Sequence, residues 1–428
     1  MKEIKKTVAA IDLGSSKVLV VVAEVYKDGT FRVLGQGRAD SRAVANGIVG
    51  DVPEAQMAVK AALDEASQIA GTAKVAEVAT NVSAASLHGV DSRAEMPIKG
   101  RYVTQEDMTT VQKLAKDAVE MHDDEVQVKS ELLCYMIDGQ MEGSGSLNPE
   151  GVQCSRIAAH MHSAVAGHLS TTNRMKTLVR AGVTPEIYIP EGWASGYAAL
   201  TEDERQNGVL LIDIGAGTTD VAVFLNDKPR YTKTYQFGGE LITKKIAGFL
   251  HCTNFEAEVL KPRLDLRCLP EHKDVILFKT PIEEGGRRFS KYDISQVAAG
   301  ELITLIDVIG RDLFHAGWFC VDDMGNPYNK LPGGIVVTGG TALLLGITEL
   351  FDVPGAKAYT FSARLGRSRY SGDACIGLNS PKESAVMGMI SYMAKRFQDG
   401  DDEESTATDD SLVNRMKRFA KEFFTGQY

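Results

Sequence analysis

Gly208-Val-Leu-Leu-Ile-Asp-Ile-Gly-Ala-Gly-Thr-Thr-Asp-Val-Ala-Val-Phe224 is the stretch on which the fold turns. Val209 to Ile212 is a short apolar run rich in branched residues, the pattern of a buried strand. It ends on a carboxylate, Asp213, followed by Gly215, Ala216, Gly217, Thr218 and Thr219. A second apolar run, Val221 to Phe224, follows with no room for a helix between. The spacing predicts strand, tight small-residue turn, strand. Glycines in such a turn let backbone N–H groups close on a ligand, and threonine hydroxyls add donors. A phosphate chain suits that geometry. A carboxylate at the strand end suits Mg²⁺ held through water, because magnesium dehydrates reluctantly. An ordinary β-hairpin turn looks the same locally, so one copy decides nothing.

There are two copies. Ala10-Ile-Asp-Leu-Gly-Ser-Ser-Lys17 repeats the layout with Asp12, Gly14, Ser15 and Ser16, then Val18 to Val22 as the return strand. Each copy runs on into a third strand after a polar turn, Phe31 to Leu34 in the first and Arg230 to Tyr235 in the second. A repeated unit of this size predicts two related domains, each presenting one phosphate hairpin. At 428 residues and 44% apolar content the chain can bury cores for both.

Charge and composition remove several classes. A net charge of −10 argues against a general nucleic-acid binder, which needs a basic surface. The six cysteines show no C-x-x-C pair and no zinc-like spacing, and are read as reduced and mostly buried, hence cytosolic. Met1-Lys-Glu-Ile-Lys-Lys6 leads straight into a strand with no signal-peptide core. No apolar run approaches the ~20 residues a spanning helix needs, so membrane contact is expected to be peripheral.

Residues 1–86 read as the first part of domain 1, with a helix over Val52 to Ala70, Gly71 as its C-cap and a strand over Val75 to Asn81. Residues 87–165 change pattern: short strands, a helix opened by Thr104 with Asp107 at its third position, and a Gly/Ser/Asn/Pro loop at 143–151. This predicts a small inserted α+β subdomain. Residues 166–200 return to domain 1 and carry a joining helix that starts at Glu191. Domain 2 is expected over 201–237 and 293–398, with an outer subdomain at 238–292. Within that subdomain Gly239 opens one helix, and Glu258 and Lys261 share one face of another at i, i+3. Gly339, Gly340 and Thr341 follow a third apolar strand and are expected to open directly into a helix.

The end of the chain is different. Asp399 to Asp410 holds seven acidic residues and no basic one, the composition of a solvated flexible linker. Beyond it, residues 411–424 place Leu412, Val413, Met416, Phe419, Ala420, Phe423 and Phe424 on one helical stripe. Arg415, Lys417, Arg418 and Lys421 flank it or face away. That describes a helix lying in a membrane surface, or one that fills a groove in a partner protein.

These glycine-bearing elements in two related halves resemble the actin-like ATPase superfamily: Asp12 to Lys17 its first phosphate motif, Asp213 to Asp220 its second, and Gly339-Gly-Thr-Ala342 its adenosine motif. Within it the chain resembles the FtsA family of bacterial division proteins along essentially its whole length. The position of the insert beginning near Val103-Thr-Gln-Glu-Asp-Met108, the Tyr197-Ala-Ala-Leu-Thr-Glu-Asp-Glu-Arg205 stretch and the linker with its basic tail helix carry that resemblance. It departs at Glu191-Gly192, where the family has Glu-Pro, and at Gly238-Gly239-Glu240 with Thr243-Lys-Lys-Ile246.

The resemblance implies an α/β, two-domain actin-like fold with ribonuclease-H-like halves, and an ATP–Mg²⁺ site between them. Gly14, Ser15, Ser16, Gly215, Ala216, Gly217, Thr218 and Thr219 would wrap the phosphates, and Gly239 with Gly339, Gly340 and Thr341 the nucleoside. Asp12 and Asp213 would hold Mg²⁺. Lys17 is either a phosphate cation or a solvated lysine at a strand edge. Glu258 and Lys261 are either ribose and adenine contacts or a surface pair. Glu191 either orients the attacking water or is a helix N-terminal charge favoured by the dipole. The implied function is a slow or non-hydrolysing filament protein on the cytoplasmic side of the bacterial inner membrane. Its partners would be copies of itself, the C-terminal peptide of the tubulin-like ring protein FtsZ, an anionic membrane surface and other division proteins. A pilus-assembly protein or a small-molecule kinase of the same fold is the alternative.

Overall fold

A computed structural model describes residues 4–71, 74–139, 145, 148–267, 270–280, 285–321, 327–352, 362–368, 370, 377–400 and 421. The acidic linker beyond Gly400 lies outside the described residues. So do Leu412, Val413, Arg415, Met416, Lys417, Arg418, Phe419, Phe423 and Phe424 of the tail.

The repeat in the sequence is a repeat in topology. Ile4–Leu13, Lys17–Tyr26 and Phe31–Asp40 form an antiparallel meander, and Glu77–Val82 and Ile187–Pro190 add in parallel on the other side of the first strand. In the second half Val209–Ile214, Thr219–Leu225 and Lys228–Tyr235 make the meander, with Ile335–Thr338 and Ala363–Leu365 in parallel beside it. The strand order is the same in both halves. Val209–Ile214 is buried along its whole length, as a near-continuous apolar run should be when both faces are covered.

Two helices fill the space between the sheets, Glu191–Ala199 and Ser384–Asp399, in a core that includes Trp193, Phe224, Met387 and Ile390. They cross so closely that a Cβ on Gly388 would lie 1.6 Å from the carbonyl oxygen of Ala194. Val52–Ala70 covers the outer face of the first sheet, and Gly239–Leu250 with Lys291–His315 the outer face of the second. Lys291–His315 opens on a capping box formed by Ser290 and Asp293.

The inserted subdomain holds the helix Gln105–Asp117 on the strands His88–Pro97, Glu125–Ile137 and Arg156–Gly167. Thr104 and Asp107 form the capping box the sequence announces, and Arg101 is paired with Asp107. The strands are not short, as expected, but 10, 13 and 12 residues long. Ile157 to Ala166 is buried on both faces, so the alternation that marks a strand is missing from its sequence.

The insert joins the second half edge to edge. Lys233 of Lys228–Tyr235 pairs opposite His88, so eight strands run as one sheet. Beside this seam Thr232 Oγ1 accepts a hydrogen bond from Trp193 Nε1 at 2.8 Å and lies 2.9 Å from His162 Nε2, while His162 Nδ1 is 2.5 Å from Asp91 Oδ1. On its other side the insert packs on the first half through Val126, Val128 and Ala166 against Val82, Met175 and Tyr188.

One expectation fails in the second half. The unit at Gly339 does not open into an α-helix; it gives a single 3₁₀ turn, Thr341–Leu343. Leu344 is already extended and Gly346 turns the chain at φ +85°, which ends any helix before a second turn.

Candidate functional site

The two hairpin loops face each other across a cleft of about 300 Å³ between the halves. They are the same turn. Gly14 N–H donates to the Lys17 carbonyl at 3.0 Å, and Gly215 N–H to the Thr218 carbonyl at 2.9 Å. Asp12, Gly14, Ser15, Ser16 and Lys17 line the cleft from the first loop; Asp213, Gly215, Ala216 and Thr218 line it from the second. Gly239, Glu258, Lys261, Gly339, Gly340 and Thr341 form its wall on the second half, beside Leu343 and Leu344. Glu191 also reaches it, from the start of the helix that links the halves.

Two expected members do not line the wall. The Thr219 side chain is buried and its hydroxyl donates to the Phe237 carbonyl at 2.8 Å, so it is spent on the fold and not on a ligand. Gly217 lies where the loops touch; a Cβ there would come 2.7 Å from Ser15 Oγ.

Lys17 is no solvated edge residue. It is buried, and its Nζ donates to Glu383 Oε1 at 2.8 Å and to the Lys382 carbonyl at 3.2 Å. Glu258 and Lys261 pair at 2.7 Å, and Lys261 Nζ also donates to the Gly239 carbonyl at 3.1 Å and to Thr243 Oγ1 at 3.0 Å. The i, i+3 pair thus ties two helices together at the cleft wall. Thr341 Oγ1 donates to the Gly215 carbonyl at 3.0 Å, which fastens the third glycine unit to the second loop.

Four carboxyl groups gather behind the loops. Burial pushes Asp213 up to about 7, with Asp220 and Asp12 adding to the rise and the Ser195 hydroxyl opposing it. Burial also pushes Asp220 up to about 6, against hydrogen bonds from Thr234 and Ser83. Glu191 is held well above the ordinary carboxylate range by burial and by Asp220, Asp12 and Asp213. Asp12 is raised by burial, against Lys17 and Arg174. Asn81 Nδ2 bridges two of them, donating to Asp12 Oδ1 at 2.8 Å and to Glu191 Oε2 at 3.2 Å. Among the described residues no three His, Cys, Asp or Glu side chains converge tightly enough to hold a metal by themselves.

Sequence reasoning missed Asn81, Ser83, Arg174 and Asp220. Asn81 had a readable signal: it ends a buried strand, and open α/β sheets place ligands beyond the carboxyl ends of their strands. Asp220 sits inside the quoted stretch, directly opposite Asp213 in the hairpin register. Arg174 lies on His168–Arg180 and reads as an ordinary helix charge.

Comparison with solved structures places this architecture. A chain of the PilM–PilN type IV pilus biogenesis complex superposes with a TM-score of 0.58 at 15% identity, covering 91% of this chain and 98% of that one. MreB5 of Spiroplasma citri, described as bound to ADP, superposes with a TM-score of 0.51 at 15% identity, covering 93% and 99%. At that identity the likeness is one of fold alone. Residues 84–165 match the family model described as the SHS2 domain inserted in FtsA, and residues 210–388 that of cell division protein FtsA. Cell division protein FtsA of Neisseria meningitidis is 28% identical over 429 residues, 99% of this chain and 100% of that protein. FtsA of Pseudomonas aeruginosa is 28% identical over 92% of this chain and 91% of its own length, and FtsA of Escherichia coli K12 is 26% identical over 98% and 99%.

The sheets, the cleft and the insert define an actin-like protein carrying an SHS2 domain. Both family models and relatives spanning nearly the full length agree on the narrower assignment. The chain belongs to the FtsA family of cell division proteins.

Proposed function

We propose that the protein binds ATP with Mg²⁺ in the cleft between its halves, assembles with copies of itself, and links the division ring to the membrane. The observation that carries the nucleotide reading is the duplicated turn. Two glycine-bearing loops of identical hydrogen bonding face one another, each following a buried aspartate at a strand end. Backbone N–H groups of such loops cradle phosphate oxygens. Lys17 and the hydroxyls of Ser15, Ser16 and Thr218 are at hand. Magnesium, held by Asp12 and Asp213 through water, would neutralise charge on the phosphates. Glu191, its carboxyl held toward the neutral form, is a poor base for attacking water, so turnover is expected to be slow.

The FtsA family assignment supports self-association and a place at the division site. The outer subdomain, residues 238–292, is the proposed seat for the acidic C-terminal peptide of FtsZ. Lys245, Lys261 and Arg267 there are paired with Glu301, Glu258 and Asp265, but Lys244, Arg263, Arg287 and Arg288 are exposed. Phe255 is 73% exposed in the same subdomain, and exposed basic side chains there would steer an acidic peptide. The tail, residues 411–424, is the proposed membrane anchor on the cytoplasmic face.

Calorimetry with Mg–ATP on the unaltered protein and on Gly215→Leu tests the core of this reading. A Cβ at Gly215 comes nearest the Thr218 carbonyl, at 3.2 Å, so the loop must give by a few tenths of an ångström while the new side chain enters the cleft. The unaltered protein is expected to bind and the variant not to. Equal affinity in both would remove the phosphates from this cleft.

A further inference from the structure

Arg174 is only 2% exposed, yet it lines the cleft. Its hydrogen bonds both come from Nη1, which donates to the Leu13 carbonyl at 2.8 Å and to Asn81 Oδ1 at 3.3 Å. Both acceptors are neutral oxygens. Among the described residues no hydrogen bond runs from Nε or Nη2 and no carboxylate pairs with Arg174 directly; Glu191, Asp12 and Asp220 act on it through space, against its burial. The neighbouring cations differ: Lys17 is matched by Glu383 at 2.8 Å and Lys261 by Glu258 at 2.7 Å.

A guanidinium taken out of water without a directly paired anion is costly, and proteins keep buried charges where a partner completes them. Here three N–H groups of a planar fork remain without a hydrogen bond in a residue that lines the cleft. The place of the fork points to the group that could take those open donors. Leu13 is the residue before the first glycine loop, and Asn81 connects onward to Asp12 and Glu191. These belong to the first half and the linking helix. Lys261, with its partners Gly239 and Thr243, belongs to the outer subdomain of the second half. Arg174 therefore meets what passes the glycine loops, away from the wall that holds Lys261.

We infer that Arg174 binds the terminal phosphate of a nucleoside triphosphate and gives the cleft its preference for triphosphate over diphosphate. This rests on the nucleotide reading above. Arginine suits the role because its fork takes two oxygens of one phosphate at once, where lysine offers a point charge. A second duty, pinning the first loop through Leu13, follows from the same contacts; it would act on every nucleotide alike.

The test is the ratio of two affinities, measured by calorimetry with Mg²⁺ present: that for AMPPNP and that for ADP. In Arg174→Gln the AMPPNP affinity should fall at least about tenfold, the effect of losing a charge-assisted hydrogen bond, while ADP affinity changes less than about threefold. ADP binding shows at the same time that the variant is folded. If Arg174→Gln does not fold, Arg174→Lys carries the test, keeping the charge, losing the fork, and lowering the AMPPNP to ADP ratio at least about threefold. An unchanged ratio, or an equal loss for both nucleotides, overturns the inference and leaves Arg174 with the loop-pinning role. An unaltered protein that binds neither nucleotide overturns the nucleotide reading itself, a separate result.

Discussion

The crossing of Glu191–Ala199 and Ser384–Asp399 makes a sharp prediction for Gly388→Ala. A Cβ at this position would stand 1.6 Å from the Ala194 carbonyl oxygen, 2.6 Å from its carbon and 3.3 Å from the Ala198 nitrogen. Every one of these is backbone, so no side chain can rotate aside. Against an ordinary contact of ~3.5–4 Å the shortfall is about 2 Å, and the helices must separate by most of it. A gap of even ~0.5–1 Å forfeits a quarter to a half of each contact's dispersion energy, here along a core holding Trp193, Ala198, Met387 and Met393. Overpacking by itself costs ~1–3 kcal/mol, so ~3 kcal/mol or more is expected for one methyl group. In a domain pair of this size that corresponds to a fall in melting temperature on the order of 5–10 °C. The displacement should also reach the cleft, because Glu191 opens one helix and Glu383, the partner of Lys17, precedes the other. Differential scanning calorimetry, with Gly248→Ala, where a Cβ meets nothing within 4 Å, as the tolerated comparison, checks the first point. A Gly388→Ala protein melting within about 1 °C of the unaltered one would refute the close-crossing argument.

Three further outcomes are expected. Asp213 and Asp220, raised from an ordinary 3.8 to about 7 and about 6, hold protons that the unfolded chain has released. Stability gained in the protonated state is therefore lost as pH rises through those values, and the nucleotide-free melting temperature should decline from about pH 5 to about pH 8. Paired carboxyls such as Asp227, where burial is outweighed by Lys395 and Arg205, have finished titrating below that window. Mg–ATP should flatten the decline, and a melting temperature that climbs steadily to pH 8 without nucleotide would contradict it. Asp107→Ala removes the third-position member of the Thr104 capping box and the partner of Arg101, so it should cost ~1–2 kcal/mol; urea unfolding reads this. Phe419→Glu with Phe423→Glu should abolish co-sedimentation with anionic vesicles while leaving ATP binding intact; full co-sedimentation would move the tail to a protein groove.

The hairpins were legible because everything that makes them is local: an apolar run, a carboxylate, small residues, a second run. Val52–Ala70 was legible for the same reason, its periodicity framed by Asp51 at one end and Gly71 at the other. Features that depend on distant partners were not. Arg174 acquires its meaning from Leu13 and Asn81, 161 and 93 residues away, and Lys17 from Glu383, 366 residues away. The alternation rule hid the full length of Arg156–Gly167 because both faces of that strand are covered. Gly339-Gly-Thr-Ala342 read as a helix start because the pattern of strand and glycine fits a helix and a single 3₁₀ turn equally well.

The seam between Lys233 and His88 has a mechanical consequence. By chain connectivity the insert is a branch of the first half, and its buried contacts with Val82, Met175 and Tyr188 keep it there. By sheet pairing it is the outermost part of the second half. It therefore spans the two halves like a strut, held at one end by an apolar footing and at the other by the Lys233–His88 pairing, the Thr234 N–H bond to the Leu87 carbonyl and the bonds around Thr232. A rotation that widened the cleft would strain both attachments. The insert would then have to tip with one half or slide along the other, carrying a displacement between the glycine loops toward the far tip of its strands, some dozen residues out.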